Sequence, residues 1–518
     1  MRVTTNLVRF AIVCLSVGGG VASAADLRLV EAIKRQDKTA VQTLLRQRVD
    51  VNTPQPDGAT ALHWAVHWED VETTDLLIHA GAKVNAANDV GVTPLTMAAA
   101  SGNALIIEKL LAAGADAKAA LLSGETALML AVRGGSLDGV KALIARGANV
   151  NAAEHTRGQT ALMWAVANRH PEITAVLLQN SADVRARSEV RKAVYNMGGN
   201  RSAGNASPDT PLAEIPLGGS TPLLFAARSN DVESAKLLVA AGADVNDVEA
   251  DGNTALVVAA HSGNASVATF LIDKNANPNA APLGYTALHA AVLRGNLRDR
   301  DVRNTDPAAG LVLVTALLKH GANPNARVAK GTRLRRWSHD FALLERWAGA
   351  TPFWLAARFL ELDMMRAIAA AAGDTSLPSN DGTTPLMAAA GIGYSRASGT
   401  AAFIKSRRDF SYYNADPTEN ATRIPDEEER LAVEAVKLAI SLGADVKASN
   451  KAGDTALHGA SSLGMNAVIQ VLVDNGADLN AKNKAGRTPL AVARRNTGVG
   501  ESVVNERTAA FLRKLGAQ

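Results

Sequence analysis

The sequence predicts an all-α protein, an array of short helical hairpins stacked one against the next. Three observations predict it. A start of the form Thr-(Pro/Ala)-(Leu/Phe) recurs at Thr60, Thr93, Thr126, Thr160, Thr221, Thr254, Thr286, Thr351, Thr384, Thr455 and Thr488, with spacings of 33, 33, 34, 61, 33, 32, 65, 33, 71 and 33 residues. A glycine stands two residues before every one of these threonines, although glycine is only 42 of 518 residues, as a turn of positive φ would require. Each copy also carries two apolar stripes at helical spacing, too short to be stable helices alone in water. Such units have to bury their faces against copies of themselves.

The stretch Gly58 to Asn85 shows the unit in full. Thr60 sits where an N-cap belongs, and Leu62, Ala65 and Val66 fall on one helical face. Glu69-Asp70 breaks the helix, and Val71, Leu76, Leu77 and Ile78 are expected to form a second stripe. Gly81 supplies the left-handed residue that ends it. Pro follows the threonine at Pro94, Pro222, Pro352, Pro385 and Pro489, the first helical position, where a missing N–H costs nothing.

The Thr-Pro-Leu-His-x-Ala start, the period near 33 and a closing Gly-Ala-Asp-Val-Asn, as at Gly242-Ala243-Asp244-Val245-Asn246, closely resemble the ankyrin repeat family. The resemblance covers nearly everything after residue 25 and implies an ankyrin-repeat solenoid of about twelve repeats, each a helix-turn-helix with a hairpin-like finger. The chain departs from the family at the motif histidine, present only as His63, His289 and His458. The family's side-chain bridges between neighbouring hairpins are accordingly expected to be absent from most repeats.

Composition fits such an array: 47% apolar, 4% aromatic, formal net charge +4. That near balance gives no nucleic-acid footprint, and beyond the first residues no stretch is long and apolar enough to span a bilayer. Residues 1–24 read as a secretory signal peptide. Arg2 and Arg9 start it, Phe10 to Val21 is apolar, and Ala22-Ser23-Ala24 forms an A-x-A site with cleavage between Ala24 and Ala25. The only cysteine, Cys14, lies inside this segment, so the mature chain has no disulfide, thiolate metal site or cysteine nucleophile. A periplasmic or secreted location follows as the expectation.

Residues 25–518 then form the array. Residues 26–52 make an irregular N-terminal capping repeat, apolar inside at Leu29, Val30, Ile33, Val41, Leu44 and Leu45 and polar outside. Residues 488–518 close it as the C-terminal capping repeat, with a last helix over Ser502 to Leu515. The spacings of 61, 65 and 71 each contain one closing triplet, so they hold insertions rather than hidden repeats. These are 187–218, rich in Gly, Ser and Asn; 296–310 together with 327–349; and 391–429, which is aromatic and ends in an acidic helix start at Asp426 to Glu429. Insertions of this kind sit in loops and commonly carry binding.

No catalytic constellation stands out. His63 and His67 have a metal-compatible spacing, but His63 is the motif histidine and no third ligand lies nearby. There is no nucleophile elbow, H-E-x-x-H or phosphate loop. Neither metal nor cofactor is expected. Trp64 and Trp164 share one position within their first helices and read as core.

Recognition is better supported. The ankyrin resemblance implies that the two residues after each first helix's Ala pair point into a concave groove. By position these include His67 and Trp68, Arg133, Arg228, His261, Arg294, and Arg358 with Phe359. The insertions add Arg335, Arg336, Trp337, Tyr412 and Tyr413. Four groove arginines beside Trp68 and Phe359 suit another protein that presents an acidic and apolar surface. The expectation is thus a monomeric, non-enzymatic interaction scaffold with no nucleic-acid partner. Two other readings stand beside it: an accessory subunit of an exported redox or transport complex, and a hydrolytic or metal site built from inserted loops around residues such as His339 or Asp340.

Overall fold

In the Thr60 repeat the chain does what its residue types dictate. Thr60 is extended (φ −105°, ψ 172°) and caps the helix Ala61–His67, whose Leu62, Ala65 and Val66 are buried. Glu69 turns left-handed at φ 54°. Asp70 then accepts the Thr73 amide at 3.0 Å and opens the second helix, Val71–His79, which Gly81 ends at φ 89°. One detail differs from the sequence expectation. Thr73, Thr74 and Leu77 form the buried face, while Leu76 is 36% exposed. With about 3.6 residues per turn, position 77 stacks over 73 and 74, and 76 is rotated away.

This is a computed structural model, which describes residues 27–196, 212–281, 284–294, 307–329, 347–392, 426–494 and 502–518. Among them are 24 helices and one two-stranded sheet. The expected signal segment, 1–24, lies outside the described residues. They group into two compact units, the first drawn from residues up to 191 and 216–250, the second from 192–215 and 251–518. Within each unit the first helices of successive repeats pack side by side in one layer and the second helices in another. The core lies between the layers, built from Leu, Ile, Val and Ala.

All eleven glycines two residues before the threonines have positive φ, between 63° and 94°. A second constraint is added by the next finger. Glu189 donates its amide to the Arg157 carbonyl at 2.7 Å, which brings that amide to 2.8 Å from where a Cβ on Gly158 would stand. The same approach recurs at Gly453, where the Lys484 amide would lie 2.8 Å from a Cβ.

Neighbouring repeats are joined by side-chain bridges of two kinds. In the first, His63 Nδ1 accepts the Thr60 amide at 3.1 Å and Nε2 reaches the Val92 carbonyl of the next repeat at 3.0 Å. His289 and His458 do the same toward Ala350 and Arg487. The histidine position of the Thr351 repeat is Trp354, and its indole N–H donates to the Thr383 carbonyl at 2.8 Å. In the second kind, the asparagine that ends the closing motif clamps the next repeat's turn. Asn52 donates to the Gly81 carbonyl at 3.1 Å and accepts the Lys83 amide at 2.7 Å. Asn85, Asn151 and Asn279 repeat both bonds. Bridging is therefore more widespread than the scarce histidines imply, because asparagine and one tryptophan also supply it.

Two of the expected insertions begin with an arginine that reaches across them. Arg187 donates to the carbonyls of Gly219 and Val248, each at 2.8 Å, and pairs with Asp247. Arg327 donates to the carbonyls of Gly349 and Pro378 at 3.4 and 3.0 Å. Between the ends of 187–218 the strands Arg191–Asn196 and Leu212–Leu217 pair as a hairpin stem. Elsewhere one helix begins earlier than the sequence suggested, Pro307–Lys319, while Asp426–Ser441 starts at the acidic residues read as its beginning. Both overlap the expected insertion ends, at 310 and 429. Pro307 is a favoured first helical residue, and the carboxylates at 426–429 suit the positive end of a helix dipole. No helix among the described residues is long and apolar enough to cross a membrane.

Burial pushes the His289 imidazole down from 6.5 to about 4, and burial lowers His63 in the same direction. The folded chain therefore binds a proton at His289 only near pH 4, whereas the unfolded chain binds it near 6.5. Stability from this group is complete above pH 6.5, falls as the pH drops, and is fully lost below about 4; the loss is up to roughly 3 kcal/mol. In His289→Gln, where glutamine can still accept the N-cap amide, urea midpoints measured between pH 7 and 4.5 are expected to fall less steeply than in the wild type. Trp354→Phe removes the inter-repeat donor from the Thr383 carbonyl, which still accepts the Ser379 amide and hydroxyl at 3.0 and 3.1 Å, and urea unfolding is expected to show a loss of about 0.5–1.5 kcal/mol.

Candidate binding surface

In the first unit the groove positions assigned from sequence are mostly open to solvent. The first helices there expose His67, Ala100, Ser101, Arg133, Ala167, Asn168 and Arg228 at their C-terminal ends. Trp68, the residue after Ala61–His67, is 43% exposed. These residues sit there because each helix turns its Leu and Ala residues to the core and leaves its last turn on the layer's free side.

The chemistry on this face is a series of rings, cations and carboxylates already matched to one another. Lys34 Nζ lies 4.7 Å from the centre of the Trp64 ring and 3.1 Å from Glu31. The Trp64 indole N–H donates to Gln55 Oε1 at 2.6 Å. Arg133 lies 5.5 Å from the Trp164 ring and 3.8 Å from Glu125. Arg228 lies 6.0 Å from Phe225, pairs with Glu249 and donates to Ser220 Oγ at 3.3 Å. Trp64 and Trp164 are half-buried, packed under these cations rather than sealed in the core.

Finger shape is set locally. The Glu154 carboxylate is buried, which raises its pKa, but it accepts the amides of Thr156, Arg157 and Gln159. Those hydrogen bonds outweigh burial and hold it below the ordinary carboxylate value.

The second unit corrects the assignment. Arg358 and Phe359 are 5% and 3% exposed, so neither is offered to a partner. Trp347, at the end of the preceding insertion, stacks edge-on against Phe359 with ring centres 5.6 Å apart. It lies 5.8 Å from the Arg358 guanidinium, which donates to the Ile392 carbonyl at 3.0 Å. His261 is partly buried. Arg294 ends the helix Ala287–Arg294, and its side chain is outside the described residues, as are Arg335, Arg336, Trp337, Tyr412 and Tyr413. The four-arginine basic stripe is thus not what the described residues form: Arg133 and Arg228 face carboxylates, and Arg358 is inside.

Sequence reasoning missed Glu125, Glu249, Lys34 and Trp347. Glu125 stands one residue before its repeat's threonine and Glu249 five before, so no shared offset announces them. His63 uses both ring nitrogens in its bridge. Among the described residues no group of three His, Cys, Asp or Glu side chains is placed to hold a metal ion.

The contrast between the units can be measured. Phe359→Ala should lower stability by about 3–5 kcal/mol in urea unfolding. Trp68→Ala, at an exposed helix end, should stay within about 0.5 kcal/mol of wild type.

A search of curated proteins finds no match to the chain. The family model for ankyrin repeats (3 copies) matches residues 29–120, 97–188, 223–328 and 429–512, well over half of the sequence. The helical pairs, the positive-φ finger glycines and the capping threonines are those the repeat frame required, and this chain belongs to the ankyrin repeat family.

Proposed function

We propose that this protein is a non-enzymatic scaffold that binds another protein through the exposed first-helix face of its first unit, with the insertions as additional contacts. Ankyrin repeats are generally protein–protein interaction modules. The observation that carries the reading is the open row from His67 and Trp68 to Arg228, held by repeats that brace one another through asparagine and histidine bridges. A surface already ordered loses little conformational freedom on binding. Export to the periplasm or outside the cell is part of the proposal, supported by the basic start, apolar run and A-x-A site of residues 1–24.

A photo-crosslinking amino acid placed at Ala100 or Asn168, on this face, is expected to yield a discrete crosslinked species in the exported fraction. The same group at Glu108, an exposed site on a second helix, is expected to yield none. Equal crosslinking at Glu108, or none at either face position, would remove the first-helix face as the binding surface.

A further inference from the structure

Resting on that reading, we infer that Trp68 receives a cationic side chain, Arg or Lys, from a protein segment that binds along the first-helix face of the first unit. Three rings on this unit already have a cation beside them: Trp64 has Lys34, Trp164 has Arg133 and Phe225 has Arg228. Each of those cations in turn has a carboxylate, from Glu31, Glu125 and Glu249.

Trp68 breaks the series. The residue is 43% exposed, and its ring touches His67 edge-on, with centres 5.0 Å apart. No cation lies over it among the described residues. The carboxylate that would complete the set follows it in the chain. Glu69 is exposed and positioned by a hydrogen bond from Asn103 Nδ2 at 3.2 Å.

The charge pattern also decides against an acidic partner. A carboxylate arriving at Arg133 or Arg228 would have to displace Glu125 or Glu249, whereas a cation arriving at Trp68 displaces only water. An apolar side chain would need a surrounding pocket to gain from burial, and a ring at an exposed helix end offers none. A ring quadrupole still attracts a cation in that setting.

The test uses the full chain labelled with 5-fluorotryptophan, whose six tryptophans give separate fluorine resonances; that of Trp68 is identified by its loss in Trp68→Leu. Probes are four fluorescent nine-residue peptides alternating glycine with arginine, lysine, glutamate or leucine. The arginine and lysine peptides are expected to move the Trp68 resonance saturably, and the glutamate and leucine peptides are not. Trp68→Leu is expected to weaken arginine-peptide binding about two- to five-fold by anisotropy, with an unchanged melting curve. A resonance that stays put, or moves equally with glutamate or leucine peptides, or an unchanged affinity in Trp68→Leu, would overturn the inference. If Ala100 and Asn168 still crosslink to a partner in that case, only the cation site falls; if they do not, the binding face falls with it.

Discussion

The structure depends on one constraint: helices of seven to nine residues cannot persist unless a neighbour covers their apolar side and accepts their loose polar groups. Burial between layers meets the first need, through Leu62, Leu95, Leu128 and Leu162 in one row and Leu77, Leu110, Leu143 and Leu177 in the other. The second need is met by side chains that cross from one repeat to the next. The bridges to Val92, Ala350, Thr383 and Arg487 all end on the carbonyl just before the next threonine. Each therefore fixes the point where the next helix begins, and stability passes from neighbour to neighbour.

The frame of this fold was legible because it repeats. Eleven threonines and eleven glycines at fixed offsets carry a signal that no single copy could, with local physical causes: a helix cap at threonines such as Thr93 and Thr126, and a positive φ at every glycine. What could not be read was whatever departs from the period. Trp354 occupies the histidine position but is a different residue type, so its bridging N–H could not be anticipated from the motif. The asparagine of the closing motif was visible as a pattern, yet its two bonds join residues about thirty positions apart.

The candidate face was legible only in outline. Positions such as His67, Trp68 and Arg133 follow from the helix register, and the structure exposes them. Exposure at Arg358 and Phe359 could not be judged from register, because Trp347 comes from an insertion that obeys no repeat. The electrostatic character of the face was misread for a related reason. The arginines stand seven or eight residues after their threonines and were easily counted, while the glutamates facing Arg133 and Arg228 come from fingers at varying offsets. In the first unit, pairing turns Arg133 and Arg228 into nearly neutral clusters, and Trp68 stays exposed beside them.

Hydrogen exchange measured residue by residue on Asn151→Ala tests the central claim most directly. Asn151 sends its bonds out of its own repeat, to Ser181 and Asp183. If repeats hold one another through such clamps, exchange should quicken at the Asp183 amide and in the helices Ala161–Ala167 and Pro171–Gln179, as well as around position 151. Faster exchange confined to the immediate surroundings of residue 151, with those helices as protected as before, would contradict it.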